Sequence, residues 1–508
     1  MTVEIKGSSP IILCLILATM ATILVSATAC GGDDDDDDDM AGDDDCKDGF
    51  VDKDGYVDCG GGDDDTDEEL DDDDDDTIVD DDTTDEPALK VGATRVDVSP
   101  AETDMLIMGG YDVVLSEEKA RRTTGIHDPL YATAVAFENP DDPPVIMLNF
   151  DMVGMIITDI DKIREGIAEQ LEGVDAEDVV VSSSHSHATP DGVGIWGVIV
   201  PPMSGRDEDY IDQLVGGGIQ AGVTAWNARE PATLAAATGD FEELHYNSIV
   251  GDENAITDDT LTVLVARDTS GHPIASVMNW GCHPMVMGPQ NSLVSADFAG
   301  AYYKFMDEEI GGVNMFVNGA LGASVHPHNL DDGFEIGSGR DWGSWEDVDN
   351  YGRDLADATQ DLIDGATPVE DTTIKLHHRT VSAPVGNPFF AYAGNGRLIP
   401  REVPPIGEVG TTNMTAFSIG EVRLGTIPGE LVPTIGVAVR EMMGGEHTML
   451  VNLGNDWIGY IMTEEQFGSI PYLYNTLLSA GPKVGTTVMD NYMEIFGAAG
   501  EAWETTAP

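Results

Sequence analysis

The chain has 508 residues and a formal charge of −72, with 23 Lys plus Arg against 95 Asp plus Glu. So few cations cannot assemble the basic face that nucleic acid or an anionic lipid surface requires. Five cysteines do not make a disulfide scaffold at this length, while a hydrophobic content of 41% is enough to bury a sizeable core.

The first predicted element is an uncharged run from Ile11 to Ala29, after a short polar start containing Lys6. Its length is close to that of a spanning helix. It ends Ala27-Thr28-Ala29-Cys30, small residues ahead of a single cysteine, which resembles a bacterial lipoprotein signal. Residues 1–30 are therefore read as an export signal, with Cys30 acylated and holding the protein at the outer membrane or cell surface.

Residues 31–89 read as a disordered tether. Seven consecutive Asp start at Asp33 and six at Asp71, and residues 31–86 hold 31 acids against Lys47 and Lys53 alone. Such a segment cannot bury enough apolar area to fold, and its self-repulsion extends it. Glu4 cancels Lys6, so −43 of the charge remains on residues 87–508. That excess is read as a solubilising surface. The insert from Cys46 to Cys59 carries Asp52, Asp54, Gly55 and Asp58 in the manner of a calcium loop, without the closing Glu. A Cys46–Cys59 bridge is compatible with export.

Residues 90–508 read as one globular domain. Strand-like runs are VIMLNF (145–150), VVVSS (179–183), IASVMNW (274–280), MFVNG (315–319), VRLGTI (422–427) and MLVNLG (449–454). Helical patterns occupy 158–172, 298–310, 351–364 and 430–443. Runs apolar on both faces, separated by helices, predict an α/β fold with a mixed, largely parallel sheet and helices on both faces. In such sheets the ligand site lies beyond the carboxyl ends of the strands.

Four polar clusters follow strand ends. In VVVSSSHSHATPDG, His185 and His187 share a face if the extended chain continues past the strand. His283 follows the strand ending at Trp280, and Pro284 and Gly288 turn the chain. Cys282, its neighbour, points the other way and reads as a small buried apolar residue. Glu430, after Pro428 and Gly429, opens a predicted helix with Leu431, Ile435, Val439 and Met442 on its apolar side. Alone, a carboxylate there only complements the helix dipole. Tyr460 lies past the last strand, in a turn begun by Gly454 and Asn455. Together, two imidazoles, a carboxylate and a phenol at one sheet edge are a donor set of the kind a catalytic zinc uses.

The same segments occur in order in a known family. VGATRVDVSP (91–100), MGGY (108–111), GIHDPLYATAVAF (125–137), HSHATPDG, CHPMVMGPQNSLVSADFAG, GALG (319–322), PGE and IGYIMTEEQF resemble those of the neutral, or alkaline non-lysosomal, ceramidases. The resemblance implies a Zn2+ ion held by His185, His283, Glu430 and Tyr460, with His187 at the substrate. It implies an amidohydrolase that cleaves the N-acyl amide of ceramide or a related lipid with zinc-activated water. The departures are local. The family carries a serine in a GDVSPN segment, whereas this chain reads Gly322, Ala323, Ser324, Val325, His326, Pro327. One residue is inserted, and His326 stands where the serine is expected, so the catalytic candidates are His187, His326 and Ser324. The family's substrate-contacting arginine is absent, Asn247 being followed by Ser248. The chain stops at Pro508, which implies no C-terminal immunoglobulin-like domain. The rivals are hydrolysis of another amide or ester, and a surface binding module that has lost catalysis. Retention of all four ligands argues against the last.

Overall fold

The computed structural model describes residues 88–101, 105–111, 113–249, 252, 255–327 and 342–496. The expected signal, Cys30, the Asp-rich segment up to Pro87 and the Cys46–Cys59 insert lie outside them. Among the described residues no helix is long and apolar enough to cross a membrane.

Leu89 is already fully buried. It leads into β1 (Lys90–Asp97), which lies near the middle of a large sheet. The other long strands are β2 (Tyr131–Glu138), β3 (Val145–Phe150), β4 (Val179–Ser183), β5 (Glu230–Asp240), β6 (Thr260–Asp268), β7 (Pro273–Trp280) and β8 (Val313–Asn318). Their spatial order is β8-β7-β6-β5-β1-β2-β3-β4. The mixed α/β class is as expected, but the pairing is not largely parallel. Only the outermost neighbours, β8–β7 and β4–β3, run parallel, and the rest are antiparallel. Short connections are the reason. β2 reaches β3 through residues 139–144, and β6 reaches β7 through a turn closed by Asp268 and His272. Neither is long enough for the crossover that parallel neighbours need.

One face of this sheet carries helices. They are α1 (Ile157–Ala168), α2 (Glu208–Asn227), α3 (Phe298–Glu309) and α4 (Trp345–Asp364). Ile163, Leu214, Tyr302 and Leu355 on them meet Ala134, Leu148, Val181 and Phe316 of the strands. The other face carries a second sheet, not the expected helices. This sheet runs β9 (Ile374–Pro384), β10 (Val409–Ile419), β11 (Val422–Thr426), β12 (His447–Val451). The period-two alternation of strands sorts the side chains between layers. Val179 and Val181 face the helices while Val180 faces the second sheet. In β10, Phe417 and Ile419 face the large sheet, while Met414 and Ala416 face outward. That outer side is covered by α5 (Pro433–Met443) and α6 (Val484–Phe496), through Val439, Met443, Tyr492 and Phe496. The helices on the far side are thus real but one layer further out. Each fully buried Leu, Ile or Phe of these interfaces contributes on the order of 1.5–3 kcal/mol.

The predicted helix over 430–443 starts only at Pro433, in the first turn where a missing N–H costs nothing. Glu430 and Leu431 instead pair in parallel with Tyr460 and Ile461. Glu430 therefore does not serve a helix dipole.

Candidate metal centre

The chain leaves β4 at Ser183, and the next amides are caught by β3's continuation: Ser184 N–H by Phe150 and His185 N–H by Met152. His185 takes a left-handed backbone, φ 70°, a conformation that costs a residue with a Cβ about 1 kcal/mol. This bend, not continued extension, turns His185 and His187 toward each other. Their Nε2 atoms lie 3.2 Å apart and their rings meet edge to face at 4.8 Å.

His185 Nδ1 bonds the Val153 carbonyl, which can only accept. Nδ1 therefore carries the proton, and the Nε2 lone pair faces the site. His283, beyond the end of β7, is held the same way: its N–H and its Nδ1 both bond the Val325 carbonyl, at 3.1 and 2.9 Å. The turn that follows is pinned by Asp297, whose carboxylate accepts from the amides of Val286 and Met287. Cys282 points away from the site and is fully buried in the helix-side core, as its alternation with His283 implied.

Glu430 comes from the second sheet, past β11. Trp457 Nε1 donates to its Oε1 at 3.0 Å. Its Oε2 is buried with no hydrogen bond among the described residues, and lies 3.4 Å from His185 Nε2 and 3.7 Å from His283 Nε2. Burial pushes this carboxyl up, and a proton on His185 or His283 would pull it well below the usual carboxylate range. Tyr460 is paired with Glu430 across the short parallel bridge. Burial, reinforced by the adjacent Glu430, holds its phenol well above the ordinary value.

His283 and Tyr460 also line a cavity of about 250 Å³, whose wall further includes His187, Ser324 and His326, with Tyr111, Trp342 and Tyr474. His187 is fixed by its N–H to the Pro284 carbonyl and by the Tyr111 ring, 4.8 Å away and perpendicular. Gly110 backs directly onto it: a Cβ there would lie 2.4 Å from His187 Cγ, and φ is +102°. Arg121 lies over the Tyr111 ring and donates to the carbonyls of Gly109 and His187. The departing segment after β8 forms a left-handed turn, with φ 64° at Ala323 and 65° at Ser324. Val325 N–H closes it on the Leu321 carbonyl, and Ser248 donates to the Ser324 carbonyl through both N–H and Oγ. The Asn247–Ser248 step thus props this turn. Ser324 and His326 both reach the cavity wall. Burial and the neighbouring His283 hold His326 well below the ordinary imidazole range.

Five of the seven candidates from the sequence line one cavity, and the other two adjoin its lining: His185 Nε2 lies 3.2 Å from His187 Nε2, and Glu430 Oε2 lies 3.7 Å from His283 Nε2. One ring nitrogen from each of His185, His187 and His283 lies within 4.8 Å of the others. Two imidazoles clamped at Nδ1, facing a carboxylate oxygen with no hydrogen bond among the described residues, are a donor set that fits a divalent metal. The sequence reading did not identify Trp457, the Val153 and Val325 carbonyls, or the aromatic wall of Tyr111, Trp342 and Tyr474. Trp457 and Tyr111 lie inside the segments NDWIGY and MGGY, where an aromatic beside a candidate ligand is the signal that could have found them.

The comparisons with known proteins agree with the motifs. Residues 89–332 match the family described as neutral/alkaline non-lysosomal ceramidase, N-terminal, and over this stretch the chain is a relative of that family. Neutral ceramidase B of Dictyostelium discoideum is 23% identical over 260 residues, 48% of this chain and 35% of its own length. The neutral ceramidase of Oryza sativa subsp. japonica is 25% identical over 231 residues, 43% of this chain and 28% of its own. The chain thus spans about a third of the length of the curated relatives it matches. The crystal structure of neutral ceramidase from Pseudomonas aeruginosa superposes with a TM-score of 0.68 at 18% identity, covering 82% of this chain and 75% of that one. The fold is therefore shared with that enzyme.

Proposed function

We propose that the chain is an exported zinc-dependent amidohydrolase of the neutral ceramidase type, cleaving the N-acyl amide of ceramide or a related lipid. The observation that carries this reading is the unbonded Oε2 of Glu430 facing two imidazoles clamped at their far nitrogens. His185, His283, Glu430 and Tyr460 would hold the zinc. When bound, the ion supplies a Lewis acid and lowers the pKa of water toward ~7. The Val153 and Val325 carbonyls keep the ligating tautomer, and Glu430 balances the ion's charge. His187, on the cavity wall, orients the substrate's polar end. Tyr111, Trp342 and Tyr474 give that cavity an aromatic wall, suited to an apolar substrate and to excluding bulk water. Attachment through an acylated Cys30 belongs to the same reading. A Cys30→Ala protein that still fractionates with membranes would overturn that part.

Elemental analysis of protein prepared without added metal, followed by a hydrolysis screen over ceramides, N-acyl amines and simple esters, tests the proposal. About one zinc per chain and turnover of an N-acyl lipid are expected. A zinc content below ~0.2 per chain that does not rise on reconstitution would overturn it, because a site with this many ligands loads readily.

A further inference from the structure

The four histidines around the cavity differ in what their nitrogens touch. His185 and His283 each give Nδ1 to a backbone carbonyl. His187 has Nε2 against His185. His326 is only 5% exposed, and among the described residues neither ring nitrogen has a hydrogen-bond partner; Nδ1 is wholly buried. An imidazole held out of water without a partner is costly, and such a group persists where a ligand completes it.

His326 is also held firmly. Val325–Pro327 pairs antiparallel with His245–Asn247, with His326 opposite Tyr246. Its ring lies 5.7 Å from that of His283 and reaches the same cavity wall. It does not fall within the group of His185, His187 and His283. It is therefore a fixed imidazole beside the histidine cluster, on the short strand that follows the Ala323–Ser324 turn.

We infer that His326 is a catalytic residue that donates an N–H hydrogen bond to the substrate's carbonyl oxygen as negative charge develops there. The inference rests on the hydrolase reading above. Water's oxygen bonds to the carbonyl carbon, the C=O π pair moves to oxygen, and that oxygen accepts the His326 N–H. On collapse the C–N bond breaks, its electron pair goes to nitrogen, and nitrogen takes the proton that water lost. His326 donates a hydrogen bond throughout and neither gains nor loses a proton. A donor fixed in advance at this oxygen is what such a step needs.

The test uses the full chain loaded with zinc, with His326→Ala and His326→Gln, the latter keeping an N–H donor. Zinc content, kcat and KM on the substrate from the screen, and the calorimetric affinities of a short-chain phosphonate and the matching uncharged amide are measured. His326→Ala should lower kcat by about 10²–10³-fold, weaken the phosphonate comparably, and leave zinc, KM and amide affinity within about threefold. His326→Gln should recover kcat to within about tenfold of the parent. Loss of zinc in His326→Ala would make it a ligand. Equal weakening of phosphonate and amide would make it a ground-state contact. Either overturns the inference, as does an unchanged kcat. If the parent loads no zinc, the hydrolase reading itself fails. If no substrate is found, equal phosphonate affinity in the parent and His326→Ala still overturns the role of His326.

Discussion

His185 and His283, and beside them His187 and His326, are buried imidazoles with different surroundings at Nδ1. The first pair is gripped at the far nitrogen by a carbonyl from the neighbouring segment. In the second pair Nδ1 has no partner among the described residues. A ring gripped at Nδ1 has one tautomer and one direction for its lone pair, as a metal ligand requires. A ring without that grip has no tautomer fixed at Nδ1 and can trade hydrogen bonds with a substrate that comes and goes. In the reading proposed above, the first pair binds the ion and the second handles the substrate.

The most severe way to break this division is Glu430→Ala. It removes the carboxylate that the gripped pair faces, so zinc should fall below ~0.2 per chain and turnover by at least about 10³-fold, both together. His187→Ala sharpens the contrast: turnover should fall about 10²-fold while zinc stays within a factor of about two. Zinc lost with His187 would move that residue to the gripped side, as a third imidazole ligand. Trp457→Phe leaves every ligand in place but removes the bond to Glu430 Oε1. Zinc affinity, read by competition with a chelator, should drop about 10-fold to 100-fold. Ser324→Ala keeps the left-handed turn and should cost no more than about tenfold in turnover, about 1.4 kcal/mol of barrier, with zinc unchanged. Turnover abolished with zinc retained would establish a serine nucleophile and remove water from that role.

The smallest effect concerns the support of the gripped side. Asp151 lies two residues before Val153 and accepts from the Tyr131 amide and the Tyr303 hydroxyl. Burial raises its carboxyl to about 7, despite those bonds. The folded value lies above the unfolded one, so the native state holds the proton more tightly and stability declines as pH rises from about 4 to about 7. Asp151→Asn removes that slope. Thermal melts should show the variant gaining on the parent between pH 5 and pH 8, with zinc content unchanged. Parallel Tm profiles would contradict it.

The strand ends that carry the site were legible because runs such as VVVSS and VIMLNF are apolar on both faces and stop abruptly at polar residues. The neighbours of those strands were not. Glu230–Asp240 is rich in Ala, and Val409–Ile419 interrupts its apolar residues with Gly, Thr, Asn and Ser, so neither stands out as a buried run. Without them the antiparallel pairing and the second sheet stay hidden. All four proposed ligands could be picked from residue type and position. Their support could not, because the carbonyls of Val153 and Val325 are backbone atoms with no residue signature. Nor does a sequence reveal a left-handed histidine: His185 looks like any residue of an extended segment. Cys282 could be set aside because strand alternation reaches as far as His283.

The layering of two sheets has a consequence for how the protein becomes complete. His185 and His283 hang from the large sheet, whereas Glu430 and Tyr460 arrive past β11 and β12 of the second. No half of the chain holds the set, and the contacts that close it join residues hundreds apart in sequence. Contacts of such separation form late. Metal uptake should therefore trail the docking of the sheets and serve as a clock for it. A metal bound there ties the seam shut, adding about 2.7 kcal/mol at a hundredfold excess over its Kd. Scarcity of the ion would then be felt as loosening between the layers before any strand unravels.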